Sequence, residues 1–192
     1  GPLGGVQSAV CYLSECLAQN GHKVFLINNH PEMEVVRGVF VIPLNVDHQI
    51  LRNIFGKLEA DVLIVFGSSS AGPQLKPLLP ASTKLLFWTG HSHHQPHNES
   101  LREKKSADIW DGFAFVSDWQ MNCFIEEFNL NPSKCTNLRY GVAPGFCNLF
   151  TDGPILSTKL ENPYLLYSST PFRGLDVLVE SFPIIHAQFP KV

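Results

Sequence analysis

The hydrophobic positions of this chain form short continuous runs, separated by stretches in which apolar residues recur every three or four positions. The continuous runs lie near residues 24–27, 39–42, 62–65, 85–88 and 113–116. Runs of this length predict strands that are buried on both faces, and the stretches between them predict amphipathic helices. Strands that alternate with helices favour parallel pairing. The pattern therefore predicts an α/β fold: one doubly wound, Rossmann-like parallel sheet with helices on both faces.

Local signals refine several of these elements. A first helix follows Gly5 and is predicted to end at Asn20-Gly21. Ser117 and Gln120 have the spacing of a capping box, and the helix after them is predicted to bury Met121, Phe124, Ile125 and Phe128. The strand around residues 39–42 is predicted to extend over 37–45, and further strands are predicted over residues 136–141 and 164–170. No strand signal precedes the glycines at positions 4 and 5, so we expect the first strand of a βαβ unit to lie outside this chain.

Four histidines follow the apolar run that ends at Thr89. They are His91, His93, His94 and His97. Ligands of open α/β sheets bind beyond the carboxyl ends of the strands, so this cluster is the first candidate site. His91 and His93 lead it, because positions i and i+2 of an extended segment project to the same side. We expect both to remain partly accessible to solvent.

Two glycine-containing turns are candidate phosphate sites. Gly4 and Gly5 place flexible backbone at a predicted helix N-terminus, where unpaired N–H groups favour an anion. The other interpretation of these two residues is an ordinary turn. The second turn, at a strand-to-helix junction, contains Thr170, Arg173 and Gly174, and the guanidinium of Arg173 has the geometry to bind two phosphate oxygens.

Composition excludes several classes of protein. The chain is 44% hydrophobic and 16% charged, which is typical of a globular domain and not of a disordered one. Its net charge of -3 and its lack of a long basic run argue against a nucleic-acid partner. The five cysteines form no C-x-x-C pair, so we expect free thiols in a reducing compartment. No apolar run is long enough to span a membrane, and we expect a soluble, cytoplasmic protein.

Five segments together resemble the retaining GT-B glycosyltransferases of family four, the group-one sugar transferases. They are GGVQ at 4–7, FWTGHSHHQP at 87–96, VSDWQ at 116–120, YGVAPGF at 140–146 and TPFRGLDVLVESFP at 170–183. The resemblance covers nearly the whole chain. It departs from the family at residues 168–170, where an arginine often stands, and at Ser92 or His94, where the family often has an acid. These departures concern contacts to the donor.

The resemblance implies transfer of a sugar from a nucleotide-diphosphate donor to a saccharide, lipid or other acceptor, with retention of anomeric configuration. It implies that residues 1–150 form the Rossmann-like acceptor-side domain, residues 151–163 a linker, and residues 164–192 the truncated start of the donor domain. His91 and His93 would be the catalytic residues, and Gly4, Gly5, Thr170, Arg173 and Gly174 would bind the donor. No cofactor or metal is implied. The resemblance also allows peripheral membrane association and self-association through the truncated tail.

Two other functions compete with sugar transfer. One is a module that binds a nucleotide or a sugar without turnover, which suits an incomplete second domain. The other is a zinc-dependent hydrolase that uses the cluster from His91 to His97, although zinc sites usually draw a further ligand from elsewhere in the chain. For the tail, we expect Leu165, Leu166, Leu178 and Phe182 to be buried, because a soluble monomer rarely exposes such a patch.

Overall fold

The computed structural model describes residues 4–44, 48–147, 159 and 163–192. The chain divides into two compact units, residues 1–141 and residues 142–192. Most of the predicted linker, residues 151–163, lies outside the described residues.

Helices and strands alternate along the first unit, and the second contributes one long helix. In chain order the elements are α1 Gly5–Gln19, β1 Val24–Asn28, β2 Glu34–Val36, β3 Val39–Pro43, α2 His48–Leu58, β4 Val62–Phe66, α3 Ala71–Leu75, β5 Lys84–Trp88, α4 Lys104–Asp108, β6 Gly112–Phe115, α5 Asp118–Phe128, β7 Cys135–Asn137 and α6 Leu175–Gln188. Short 3-10 turns lie at Lys76–Leu78, Pro96–Arg102, Pro132–Lys134, Pro144–Phe146 and Pro171–Arg173.

The strands of the first unit form two sheets. One is a four-stranded sheet in the order β4-β5-β6-β7, with every neighbouring pair parallel. The other has the order β1-β3-β2, in which β1 and β3 are parallel and β2 is antiparallel to β3. All five strands predicted from the apolar runs are present, and the mixed α/β class with a parallel sheet is confirmed. The prediction of one continuous sheet is wrong, because no pairing joins β1 to β4 among the described strands.

The antiparallel pair arises from a hairpin that the hydrophobic pattern does not reveal. The single strand predicted over residues 37–45 is wrong at its start, since β2 ends at Val36 and β3 begins at Val39. Arg37 and Gly38 have φ values of 49° and 83°. Two positive φ values in a row make a tight turn that suits antiparallel strands. The Arg37 guanidinium also forms an ion pair with Glu15 of α1 at 2.9 Å.

The core of the first unit lies around β5 and β6. Leu85, Phe87 and Phe115 are fully buried there. Phe124 and Phe128, from the predicted stripe of α5, are buried in the same cluster, and Met121 and Ile125 pack against it partly buried. The prediction is confirmed for the two phenylalanines and in part for the other two residues. Ser117 caps α5 by accepting a hydrogen bond from the Gln120 N–H, which is the predicted capping interaction.

The second unit exposes most of its apolar side chains. The predicted strand over residues 164–170 does not form, because a lone strand needs a ladder partner and none is present among the described residues. Leu166 is 87% exposed, and Leu165 and Phe182 are also exposed, so their predicted burial is wrong. Leu178 is partly buried. No helix within the described ranges is long and apolar enough to cross a membrane.

Candidate functional site

The predicted cluster lies at the carboxyl ends of β4 and β5. β4 ends at Phe66, and Gly67 follows with a φ of 88° while its N–H donates to the Trp88 carbonyl at 3.0 Å. A side chain at Gly67 would place its Cβ 3.6 Å from Nε2 of His91. Glycine is therefore required at position 67 by the left-handed turn, whereas the 3.6 Å distance to the imidazole is an ordinary van der Waals contact.

His91 stacks on His97. The two ring centroids are 4.8 Å apart and the planes differ by 10°. His97 is itself fixed by Ser69, a buried residue whose N–H and hydroxyl both donate to the His97 carbonyl at 3.0 Å. The hydrogen bonds from Ser69 therefore join the loop after β4 to the segment after β5, in which His97 stacks on His91.

Gln120 fixes the backbone at the start of the histidine loop, the segment from Thr89 to His97 that carries the four histidines. Its side chain is buried, and its Nε2 donates to the carbonyls of Thr89 at 3.2 Å and of His91 at 2.7 Å. Its Oε1 accepts from the Val116 N–H at 2.8 Å. The sequence identifies Gln120 only as a capping-box residue, and its spacing to Ser117 gives no signal for contacts some 30 positions away.

Two further side chains fix the loop. Thr89 is fully buried, and its Oγ1 accepts from the His91 N–H at 3.1 Å. Asn98 is also fully buried, and its Nδ2 donates to the Ser92 carbonyl at 2.9 Å. Because polar side chains bind the backbone at several points, the loop presents His91 in one defined orientation.

His93 belongs to a separate group of rings. Its ring lies edge-on to the ring of His94, with the centroids 5.2 Å apart, and its centroid is 6.3 Å from that of the Trp119 ring. The backbone turns after Ser92, whose carbonyl accepts from the Gln95 N–H at 3.1 Å. The segment is therefore not extended, and the predicted alignment of His91 with His93 is wrong. Both histidines are partly exposed, as predicted.

The N-terminus of α1 lies close to the same strand end. Gly4 is the N-cap residue and accepts from the Ser8 N–H at 3.0 Å. Val6 has a methyl group 3.7 Å from the position that a Cβ on Gly90 would occupy, and the Tyr140 hydroxyl lies against that same position. Partial burial raises the pKa of the Tyr140 hydroxyl, so the group stays protonated at neutral pH. Tyr140 is a site neighbour that the predicted set of residues lacks.

Thr170, Arg173 and Gly174 lie in the second unit. The Arg173 N–H donates to the Thr170 carbonyl at 2.9 Å, which closes the 3-10 turn before α6. Gly174 has a φ of 98° and is the N-cap residue of α6. The Arg173 side chain is exposed and forms no ion pair with any residue that the structure describes. These residues form one turn at a helix N-terminus, as predicted.

The ring geometry bears on the zinc hypothesis. A nitrogen lone pair lies in the plane of its imidazole, so two rings stacked face to face hold their lone pairs in separate planes and do not direct them at one ion between the rings. His91 and His97 are stacked in this way. Within the described parts of the chain, no group of three or more His, Cys, Asp or Glu residues is arranged to hold a metal ion.

Comparison of the chain with protein-family models and with curated proteins found no match.

Proposed function

We propose that this chain is the acceptor-side portion of a retaining glycosyltransferase of the GT-B type. Its substrate would be a nucleotide-diphosphate sugar, and the acceptor a saccharide, a lipid or another hydroxyl compound. One observation carries the proposal: a partly exposed imidazole, His91, is held at the carboxyl edge of a parallel sheet by a buried glutamine and a stacked second histidine. Ligands of such sheets bind at this edge.

The proposed role of His91 is to orient the donor sugar near its anomeric carbon. Positive charge develops on that carbon as the bond to the diphosphate breaks, and negative charge develops on the leaving group. Positioning and electrostatic stabilisation are therefore the contributions that the protein has to make. A rigidly held imidazole suits the first task, because a misplaced contact loses much of its effect.

Each of the two units has one helix N-terminus that is proposed, separately, as a phosphate contact. The first-turn N–H groups of α1, which follow Gly4 and Gly5, have no side-chain cap and are available to an anion. The α6 turn offers the exposed Arg173 together with Thr170 and the left-handed Gly174. Arg173 has the planar guanidinium that a bidentate contact to a phosphate requires.

His91→Ala in the complete polypeptide that contains this chain tests the proposal. With a panel of nucleotide sugars and acceptors, we expect kcat/KM to fall by about 10- to 100-fold, since a positioning contact acts in the transition state. The melting temperature should stay close to that of the unmodified protein, because His91 is not part of the core. His22→Ala, at an exposed position after α1, is the matched control. Unchanged turnover in His91→Ala would remove this residue from the site.

The competing proposal is a module that binds without turnover. The unpartnered apolar surface of the second unit favours it for this polypeptide, because a donor pocket needs a packed second sheet. For protein that ends at Val192, we expect weak binding of nucleotide sugars by calorimetry and no transferred product. Robust transfer by protein whose mass confirms that end would contradict this expectation.

A further inference from the structure

Trp119 is a large aromatic side chain that faces solvent. It is 66% exposed, whereas the other two tryptophans, Trp88 and Trp110, are 4% exposed and fully buried. Trp119 is the second residue of α5 and shares the exposed face of that helix with Asn122 and Glu126, because positions i, i+3 and i+7 lie on one side of a helix. The indole is therefore not part of the core of the first unit.

Two imidazoles lie beside this indole. The plane of the His93 ring is inclined by 63° to the indole, and the ring of His94 lies edge-on to that of His93. The Ser92 hydroxyl lies 3.1 Å from Nδ1 of His94. We call these four residues the aromatic platform. It lies at the carboxyl edge of the parallel sheet, because Ser92 follows β5, Trp119 follows β6 and the two strands are neighbours.

The platform has hydrogen-bonding atoms that are free for a ligand. Nδ1 of His93 is buried without a partner, and its Nε2 is accessible and makes no hydrogen bond to any residue that the structure describes. His94 is exposed, and its bonded nitrogen is Nδ1, which leaves its Nε2 open. A ring nitrogen of a neutral imidazole donates or accepts according to the tautomer. An apolar surface is thus bordered by two nitrogens that suit hydroxyl groups.

The platform is continuous with the candidate site at His91. Gln120, the residue after Trp119, donates to the His91 carbonyl at 2.7 Å. On the other side, Asp118 accepts from Nδ2 of Asn137 at 2.9 Å, which ties the start of α5 to β7. The backbone that carries the indole is therefore fixed to both neighbouring segments of the sheet edge.

We propose that the aromatic platform is a saccharide subsite, in which one sugar ring packs on Trp119 and its hydroxyls bond to His93 and His94. The C–H groups on one face of a pyranose carry partial positive charge and meet the negative face of the indole π-system. Sites of this kind combine an aromatic surface with a few placed polar groups. The identity of this sugar as the acceptor rests on the proposed function, but its binding does not require transfer.

The ring geometry favours a sugar over a nucleobase. A flat base also stacks on aromatic rings and gains most between two parallel faces. His93 is inclined by 63° to the indole, so the two rings form no parallel slot. A sugar needs only one aromatic face, because its hydroxyls project from the rim of its ring toward the polar atoms at the side.

Tryptophan fluorescence of the 192-residue chain tests the proposal. Trp119 is the exposed one of the three tryptophans, so a bound sugar that removes water from its indole should shift the emission to shorter wavelength. The probes are the disaccharides maltose, cellobiose, lactose and chitobiose, with uridine and adenosine as competing ligands. We expect saturable binding of at least one disaccharide, with a Kd on the order of 1 mM because the contact surface is small. No saturable shift with any disaccharide would overturn the proposal, as would saturable binding of the nucleosides alone.

Substitutions locate the bound sugar, with saturation-transfer NMR as the readout that does not need the indole. Trp119→Ala should weaken binding at least about 10-fold, and Trp119→Phe, which keeps an aromatic face, should retain most of it. His93→Ala leaves the fluorescent reporter in place and should weaken binding several-fold. Tyr12→Ala, at a residue of α1 that is 44% exposed, is the matched control and should bind as the unmodified chain does. Unchanged binding in Trp119→Ala would overturn the proposal.

Binding and transfer give separate outcomes. Disaccharide binding that depends on Trp119, in a complete polypeptide that transfers no sugar, would support the subsite and contradict the proposed transferase. Transfer that continues at the same acceptor KM in Trp119→Ala would support the transferase and overturn the subsite.

Discussion

Replacing Gln120 tests whether its side-chain hydrogen bonds hold the backbone of the histidine loop in place. Its side chain is buried and makes three hydrogen bonds, to the Val116 N–H and to the Thr89 and His91 carbonyls. Each hydrogen bond contributes a net ~1 kcal/mol, so Gln120→Ala should destabilise the first unit by about 3 kcal/mol. For a protein of this size that is a decrease in melting temperature of roughly 6–12 °C. The Ser117 cap uses the backbone N–H of Gln120 and should survive.

Gln120→Glu distinguishes the contribution of the acceptor oxygen of the side chain from that of its donor nitrogen. A carboxylate keeps the acceptor for the Val116 N–H but cannot donate to the two carbonyls. Two lost hydrogen bonds cost about 2 kcal/mol at pH 7, and the buried negative charge facing carbonyl oxygens adds to this cost. The same environment should raise the pKa of the introduced carboxyl above its unfolded value of about 4.3.

The sign of the pH dependence follows from that raised pKa. Between the unfolded and the folded pKa, the folded Gln120→Glu protein binds more protons than the unfolded one, so its stability rises as the pH falls. Urea denaturation at pH 7 and pH 5 should therefore show a smaller deficit at pH 5. Gln74→Glu, at an exposed position, is the matched control. A Gln120→Glu protein as stable as the unmodified one at pH 7, or with the same deficit at both pH values, would refute the reasoning.

Two further predictions concern the stability of the first unit. A Cβ at Gly72 would lie 2.4 Å from the fully buried Trp110 ring, so Gly72→Ala should lower the free energy of unfolding by about 1–3 kcal/mol. Gly56→Ala is the control, because Gly56 lies in a helix with open space around it, and it should raise the free energy of unfolding by up to about 1 kcal/mol. Asp111 accepts from the Leu85 N–H and the Lys76 ammonium, which lower its pKa, so Asp111→Asn should cost about 1 kcal/mol at pH 7. Its stabilisation is present above the unfolded pKa and lost as the pH falls through the lower folded pKa, so the deficit should shrink in urea titrations as the pH is lowered below about 3.9.

The sequence predicts best where the signal is local. The cap of α5 depends on a spacing of three residues, and the buried stripe at Phe124 and Phe128 depends on helical periodicity. The position of His91 at a strand end follows from the apolar run of β5. Each of these needs only neighbouring residues, and each is found in the structure.

Contacts between residues that are far apart in the sequence cannot be predicted from such local patterns. Gln120 reaches Thr89 and His91 because β5 and β6 are neighbours, which no spacing in the sequence encodes. The turn at Arg37 was missed because a non-glycine residue with positive φ is uncommon. The alignment of His91 with His93 failed because the loop turns at Ser92, whose carbonyl accepts from the Gln95 N–H. Serine is common in turns, but a single serine does not show where a turn begins.

The wrong prediction of burial in the tail has the same physical origin as the exposure of apolar side chains in β4. An apolar run shows that a segment gains free energy when it is covered, but it does not specify what covers it. Leu166 is 87% exposed because no strand among the described residues pairs with its segment. Ile64 is 42% exposed although β4 pairs with β5, because β4 lies at the edge of its sheet among the described strands. In both places the local pattern identifies an apolar surface that gains free energy when covered, but what covers it is decided by tertiary contacts that the pattern does not contain.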